Sequence, residues 1–300
     1  MTGRGGQLGR CLVESVQADP THELLASWSH AELDVCDRQA VTKLFAALPG
    51  GPPDVLVNAA AFTAVDRCES EEALALAVNG EAPGQLAALC ADHDVGFVHV
   101  STDYVFSGHA TRPYSETAEI DPRGAYGRTK AEGERSVLAA LPGALIVRTS
   151  WVFGPGKNFV GAILRQARLR RAGEVDGPLR VVADQRGAPT YAADLADGIL
   201  ALCSLAERGD ETQGFFHLSN QGDITWWDFA RAILDDTGHQ DLEIERITTD
   251  ELSLPAPRPQ YSVLDGGRAA ALGVKLRGWR EALAAHLASP AGAALVEDAA

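Results

Sequence analysis

Short apolar strands and helical stretches alternate through the first half of this 300-residue chain, and that alternation constrains the fold more than any other feature. Residues 23–26 read as a strand, and residues 37–48 as a helix capped by Asp37. Residues 54–57 are an apolar run that ends in Asn58-Ala59-Ala60-Ala61. Apolar positions recur every three or four residues over 70–78 and 81–93, which predicts two helices. Residues 95–100 predict the next strand, running straight into Ser101-Thr102; a helix over 126–140 and a strand over 144–147 follow. Strands separated by helices pair in parallel through right-handed crossovers.

After Trp151 the pattern loosens. Helices are expected over 158–171, 191–205, 226–237 and 279–287, with strands at 179–182 and 215–218. Pro255-Ala256-Pro257-Arg258-Pro259 predicts a loop, and the Ala-rich end from Ser289 is expected to fray. The expected division is a nucleotide-binding domain over 1–155, to which 188–216 returns, and a smaller C-terminal α/β lobe over 156–300.

In such sheets ligands bind beyond the carboxyl ends of the strands. Three notable segments fall there. Thr2-Gly3-Arg4-Gly5-Gly6-Gln7-Leu8-Gly9 spaces glycines as GxxGxxG, a loop whose backbone can approach a pyrophosphate at a helix N-terminus. Residues 58–63 and 101–106 supply the other two. A glycine loop of this kind should follow a buried strand, yet only Met1 precedes Thr2. The expectation is a start assigned too late, with a first strand upstream; without it, poor solubility and weak cofactor binding would follow.

Composition excludes several classes. A net charge of −15 is the wrong sign for a nucleic-acid surface. No apolar run reaches the length of a membrane span, and the N-terminus lacks a secretory pattern. Five scattered cysteines without CxxC predict a reduced, cytoplasmic protein with no zinc site, and the eight histidines show no metal-ligand spacing. The run Arg165, Arg168, Arg170 and Arg171 reads as a solvated helix end.

The chemistry is concentrated in Tyr126 and Lys130. Residues at i and i+4 share a helix face, and a neighbouring cation favours the ionised form of a phenol. A phenol so tuned, beside a Thr102 hydroxyl, suits proton donation to an alkoxide that develops as hydride reaches a carbonyl. Seven stretches in order strengthen this: Gly6-Gln7-Leu8-Gly9, 58–66, 101–106, 126–130, 148–154, 184–190 and Arg258-Pro259. Together they resemble the extended short-chain dehydrogenase/reductase superfamily, and within it the dTDP-4-dehydrorhamnose reductase family, over nearly the whole chain.

The resemblance implies a Rossmann-type doubly wound parallel sheet and reduction of the C4 ketone of dTDP-4-dehydro-β-L-rhamnose by NADPH or NADH. It makes Tyr126 the proton donor, Lys130 the residue that holds the nicotinamide ribose, and Thr102 the hydroxyl on the ketone oxygen, with Ser101 as the alternative. Gly3, Gly6, Gln7, Leu8, Asp34, Val35, Ala61, Phe62, Thr63 and Val100 would surround the cofactor, with Tyr126 and Lys130. Thr102, Asp103 and Trp151 would meet the sugar nucleotide. Trp151 could instead pack between the lobes. Arg258 offers a planar fork for a diphosphate, or a cap for a helix. Asn79 reads as a structural bond rather than a proton relay.

Ser27-Trp28-Ser29-His30 holds no carboxylate to repel a 2′-phosphate, so NADPH is expected to be accepted. Some family members form magnesium-bridged dimers through glutamates. The matching positions here are Cys11 and Ala193, so any homodimer is expected to form without magnesium. Rival readings are a reductase of another dTDP-4-keto-6-deoxy sugar, a non-catalytic cofactor-binding subunit, and a dehydratase or epimerase of the same superfamily. The dehydratase reading lacks the glutamate its family places after the aspartate, because Tyr104 follows Asp103.

Overall fold

A computed structural model describes residues 1–299. Its centre is a parallel sheet of β1 (Val55–Asn58), β2 (Gly96–Thr102), β3 (Leu145–Thr149) and β4 (Gly214–His217), in that order. Each strand reads as an apolar run because both faces are covered, as parallel sheets require. Beyond β1 the sheet continues as two single bridges: Thr2 pairs in parallel with both Asn58 and Trp28. The strand expected over 23–26 does not form. Its only ladder-like support among the described residues is the Met1 amine donating to Ala26 O at 2.8 Å. Leu24 and Leu25 instead line a cavity of about 200 Å³ with Met1, Val55, Val57 and Cys203. A strand with no continuous neighbour leaves its amides unpaired, so that segment stays irregular.

Helix α1 (Gln7–Ala18) follows the glycine loop, and α2 (Arg38–Ala46) is capped as expected, Asp37 accepting from Ala40 N at 3.0 Å. The helix expected over 70–78 is broken differently. Short α-turns at Val65–Ser70 and Glu72–Leu76 run through a π-turn at Ala77–Glu81 into α3 (Ala82–Asp92). One extra residue per turn rotates Asn79 inward, where it is fully buried. Helix α4 (Ala125–Ala140) packs on α3 and on the face of β2.

A second core gathers Phe153, Val160, Leu164, Leu179, Phe229, Ile233 and Leu283. It is built from α5 (Phe159–Arg171), β5 (Leu179–Val182), α7 (Trp226–Asp236), β6 (Ile244–Ile247) and α8 (Trp279–Ala288), while α6 (Ala192–Glu207) packs on the first core beside α1. The Ala-rich end does not fray. It forms α9 (Pro290–Ala299), whose Leu295 and Val296 rest on the second core; two apolar side chains there outweigh the weak local signal.

A buried ion pair locks α4 to the sheet. Arg148 of β3 donates from Nε and Nη2 to the two oxygens of Glu134, each at 2.8 Å, and both side chains are about 1% exposed. Ser101 Oγ also donates to Glu134 at 2.6 Å, and the guanidinium lies over the Phe215 ring, 4.0 Å from its centroid.

Candidate active site

Gly3 lies at φ +82°, and a Cβ there would fall 2.5 Å from the Ala59 carbonyl carbon. Only glycine lets the loop pass so close to the end of β1. The loop delivers Gly6 as the N-cap of α1 with no side chain bonded to the helix amides. The Oε1 of Gln7 is buried without a partner among the described residues. Free amides, a positive helix end and an unsatisfied polar atom fit a pyrophosphate-containing dinucleotide. Leu8 turns into the first core.

Two residues past the Ser27–His30 segment, Glu32 accepts from Ser29 N at 2.8 Å, from Ser29 Oγ at 2.7 Å and from Arg4 Nη2 of the glycine loop at 2.6 Å. The bonds from Ser29, followed by Arg4, hold the Glu32 carboxyl below its ordinary range. The signal was present as the serine-x-x-glutamate spacing of Ser29 and Glu32, which predicts the bond from Ser29 N to the Glu32 side chain. Asp34 is exposed and accepts from Cys36 N at 2.9 Å, a local turn bond, and Val35 is buried beside α2.

Asn79 clasps the loop after β1 from both sides. Its Oδ1 accepts from Phe62 N at 2.8 Å and its Nδ2 donates to Phe62 O at 3.1 Å. This fixes Ala61, Phe62 and Thr63 at the carboxyl edge. Phe62 and Tyr126 share one small apolar cluster around Cys68, Ala75 and Ala125, so the loop and the tyrosine are neighbours.

Tyr126 sits in the first turn of α4, held by close approach of the helix to the segment after β2. A Cβ on Gly127 would fall 2.2 Å from Tyr104 O, and the Tyr126 and Tyr104 rings meet edge-to-face at 5.4 Å. Thr102 ends β2, almost fully buried; its Oγ1 donates to Asp103 Oδ1 at 2.8 Å and accepts from Tyr104 N at 3.2 Å. Ser101 is committed to Glu134, away from Tyr126, whereas the Thr102 hydroxyl lies beside it. Asp103 is 2% exposed with Oδ2 unpartnered among the described residues, and burial pushes its carboxyl up to about 6.

The expected cation effect on the phenol is absent. Lys130 Nζ points into the sheet, donating to Val100 O at 2.7 Å and lying 3.1 Å from His99 Nε2. Burial raises the Tyr126 phenol above its ordinary range and the Asp103 carboxylate adds to this, while the Thr102 hydroxyl acts in the opposite direction. Desolvation thus dominates over helix-face adjacency, which places two residues near each other without aiming their polar ends.

Beyond Tyr104 opens a cleft of about 620 Å³ lined by Phe159, Arg170, Trp226, Leu254 and Arg258. Arg258 donates to Asp66 Oδ2 at 2.8 Å and to Ala256 O at 3.2 Å, which leaves part of its fork facing the cleft. Trp151 adopts φ +47° and stacks on Trp226 with ring centroids 3.5 Å apart at 6°. A left-handed tryptophan is costly, and here it brings two indoles together at the cleft. Trp226 and Phe159 were not singled out by sequence; they are the first residues of α7 and α5.

The chain matches the RmlD substrate binding domain family over residues 1–291. It belongs to that family. Over 99% of its length it is 40% identical to dTDP-4-dehydrorhamnose reductase of Mycobacterium tuberculosis, covering 94% of that protein. It is 43% identical to the probable dTDP-4,6-dihydroxy-2-methyloxan-3-one 4-ketoreductase of Streptomyces antibioticus, covering 94% of this chain and 92% of that one. The crystal structure of dTDP-4-dehydrorhamnose reductase from Bacillus anthracis in complex with NADP is similar at a TM-score of 0.86, with 30% identity over 95% of this chain and 96% of that one. The RmlD family fold expected from the motifs, a Rossmann-type parallel sheet wrapped by helices, is the one observed.

Proposed function

We propose that this chain reduces the C4 ketone of dTDP-4-dehydro-β-L-rhamnose to dTDP-L-rhamnose, with NADPH, or NADH, as hydride donor. The observation that carries the reading is the meeting of Tyr126, Thr102 and Asp103 at the end of β2, beside Tyr104, which lines the cleft. Bound NADPH supplies the hydride and, once oxidised, a positive nicotinamide charge that favours a phenolate. Tyr126 gives its proton to the oxygen that becomes an alkoxide, and Thr102 holds that oxygen in place. Lys130 steadies the nicotinamide ribose. Gly3, Gly6, Gln7 and Leu8 cradle the pyrophosphate, Asp34 and Val35 border the adenine, and Ala61, Phe62, Thr63 and Val100 line the nicotinamide half. Asp103, Trp151 and Arg258 meet the sugar nucleotide in the cleft. Residues 1–155, with 188–216, form the cofactor domain, and 156–300 mainly the substrate lobe. That Ala192, Leu195 and Phe216 share a core with Leu8 and Val147 supports this division.

Among the described residues no helix is long and apolar enough to cross a membrane, and no cluster of potential metal ligands occurs. The reading is a cytoplasmic enzyme in which any homodimer forms without magnesium. The substrate reading is tested by incubating protein, NADPH and dTDP-4-dehydro-β-L-rhamnose. One NADPH should be consumed per dTDP-L-rhamnose formed. Conversion without net NADPH loss would instead identify an epimerase or dehydratase, which recycles its cofactor.

Cofactor choice has its own test. Glu32 pairs with Arg4 of the glycine loop, the guanidinium that a 2′-phosphate of the cofactor would otherwise draw. Glu32→Gln removes the charge and releases the guanidinium. The ratio of kcat/KM for NADPH over NADH should rise several-fold. An unchanged ratio, or one moving towards NADH, would place the 2′-phosphate elsewhere.

A further inference from the structure

Behind the proposed site runs a chain of side chains that, Lys130 apart, the reduction chemistry does not call on. Thr2 Oγ1 donates to Asn58 Oδ1 at 2.7 Å, Asn58 Nδ2 lies 3.1 Å from His99 Nδ1, and His99 Nε2 lies 3.1 Å from Lys130 Nζ. All four side chains are 2% exposed or less. Asn58 and His99 are direct register partners on β1 and β2, so the sheet itself sets their spacing.

Proton accounting makes this chain informative. Ala60 N also bonds Asn58 Oδ1, at 3.1 Å. A main-chain N–H only donates, so it fixes which end of the carboxamide is oxygen. The NH2 end therefore faces His99 Nδ1, which must accept. A neutral imidazole has one lone pair and one proton on its two nitrogens, so the proton sits on Nε2 and points at Lys130. An ammonium at Lys130 would meet that N–H donor to donor. A neutral amine accepts it, while its own hydrogens still reach Val100 O.

We propose that His99 is a positioning residue for Lys130: oriented by Asn58, its Nε2–H holds the lysine as a neutral amine against the Val100 carbonyl until the cofactor binds. The charged groups around the lysine agree with this. On its own helix Glu134 is one turn away, but both its oxygens are bonded by Arg148 from β3. From β2 comes His99, and β1 and the π-turn contribute only the neutral amides of Asn58 and Asn79. Burial lowers Lys130 to about 8 against the partial support of Glu134, so that the neutral amine predominates only above that pH, and burial first of all keeps the His99 ring neutral. The role at the cofactor rests on the reductase reading; the His99–Lys130 pairing does not.

Lys43, Lys130, Lys157 and Lys275 are the only lysines in the chain, so a ¹³Cε-lysine spectrum is assignable by substitution. The full-length protein labelled in lysine and in histidine nitrogen should show His99 protonated at Nε2 only, and Lys130 titrating below the other three. His99→Gln, whose carbonyl can accept from an ammonium, should raise the Lys130 midpoint by about one unit. Asn58→Asp accepts a proton on Nδ1 and should raise it as well. His99 protonated at Nδ1, or a Lys130 midpoint unmoved by either change, overturns the proposal. The wild-type ring measurement decides the matter even where a variant does not fold. Adding NADP⁺ should then shift the Lys130 resonance. A missing shift with His99 as described counts against the cofactor role of Lys130 and leaves the pairing intact.

Discussion

Tyr126→Phe is expected to lower kcat by roughly 10²- to 10⁴-fold, the range a positioned proton donor contributes, while NADPH binding measured by fluorescence titration stays close to wild type. The ring would survive, so its edge-to-face packing on Tyr104 and its place beside Phe62 would persist. Only the hydroxyl, next to Thr102, would be lost. The same substitution also separates the enzyme reading from that of a cofactor-binding subunit. Turnover that survives the change would remove Tyr126 from the chemistry, whatever the cofactor affinity.

Arg148→Met should cost about 3–5 kcal/mol of stability, because it leaves the Glu134 carboxylate buried and unpaired. Denaturant unfolding of both proteins measures this directly. The double substitution Arg148→Met with Glu134→Leu should recover a large part of the loss, since no uncompensated charge then remains. An effect below about 1 kcal/mol for Arg148→Met, the worth of an exposed pair, would show that water reaches the carboxylate. The consequence extends to function. Glu134 ties α4 to β2 through Ser101, and α4 carries Tyr126 and Lys130. Loosening the pair should therefore reduce kcat as well as stability.

The sheet was legible because its information is local. Four apolar runs bounded by helical periodicity predict β1 to β4, and they pair in parallel as expected. Residues 179–182 were read as a strand and form one, and the helix cap at Asp37 was read from a single residue. Site residues at strand ends were legible for the same reason, since the strand end fixes the edge on which they lie. What the sequence left unread lies in contacts between distant positions. Arg4 and Glu32 are 28 residues apart and meet only when Thr2 joins the sheet beside Trp28. Trp226 reaches Trp151 across 75 positions of a lobe with weaker periodicity. The orientation of Lys130 is a further case: spacing puts it on the face of Tyr126, but the Val100 carbonyl and His99 decide where its nitrogen ends. The last helix was hidden because alanine and glycine give no periodic contrast, and only packing of Leu295 and Val296 reveals it.

The central claim, hydride delivery to C4 of a sugar nucleotide with Tyr126 closing the reaction, is tested most directly by isotope tracing. With NADPH carrying deuterium at nicotinamide C4, in the stereochemical position that is transferred, dTDP-L-rhamnose should form with one deuterium at C4 and none elsewhere. Product bearing no deuterium, or bearing it at another carbon, would contradict the account.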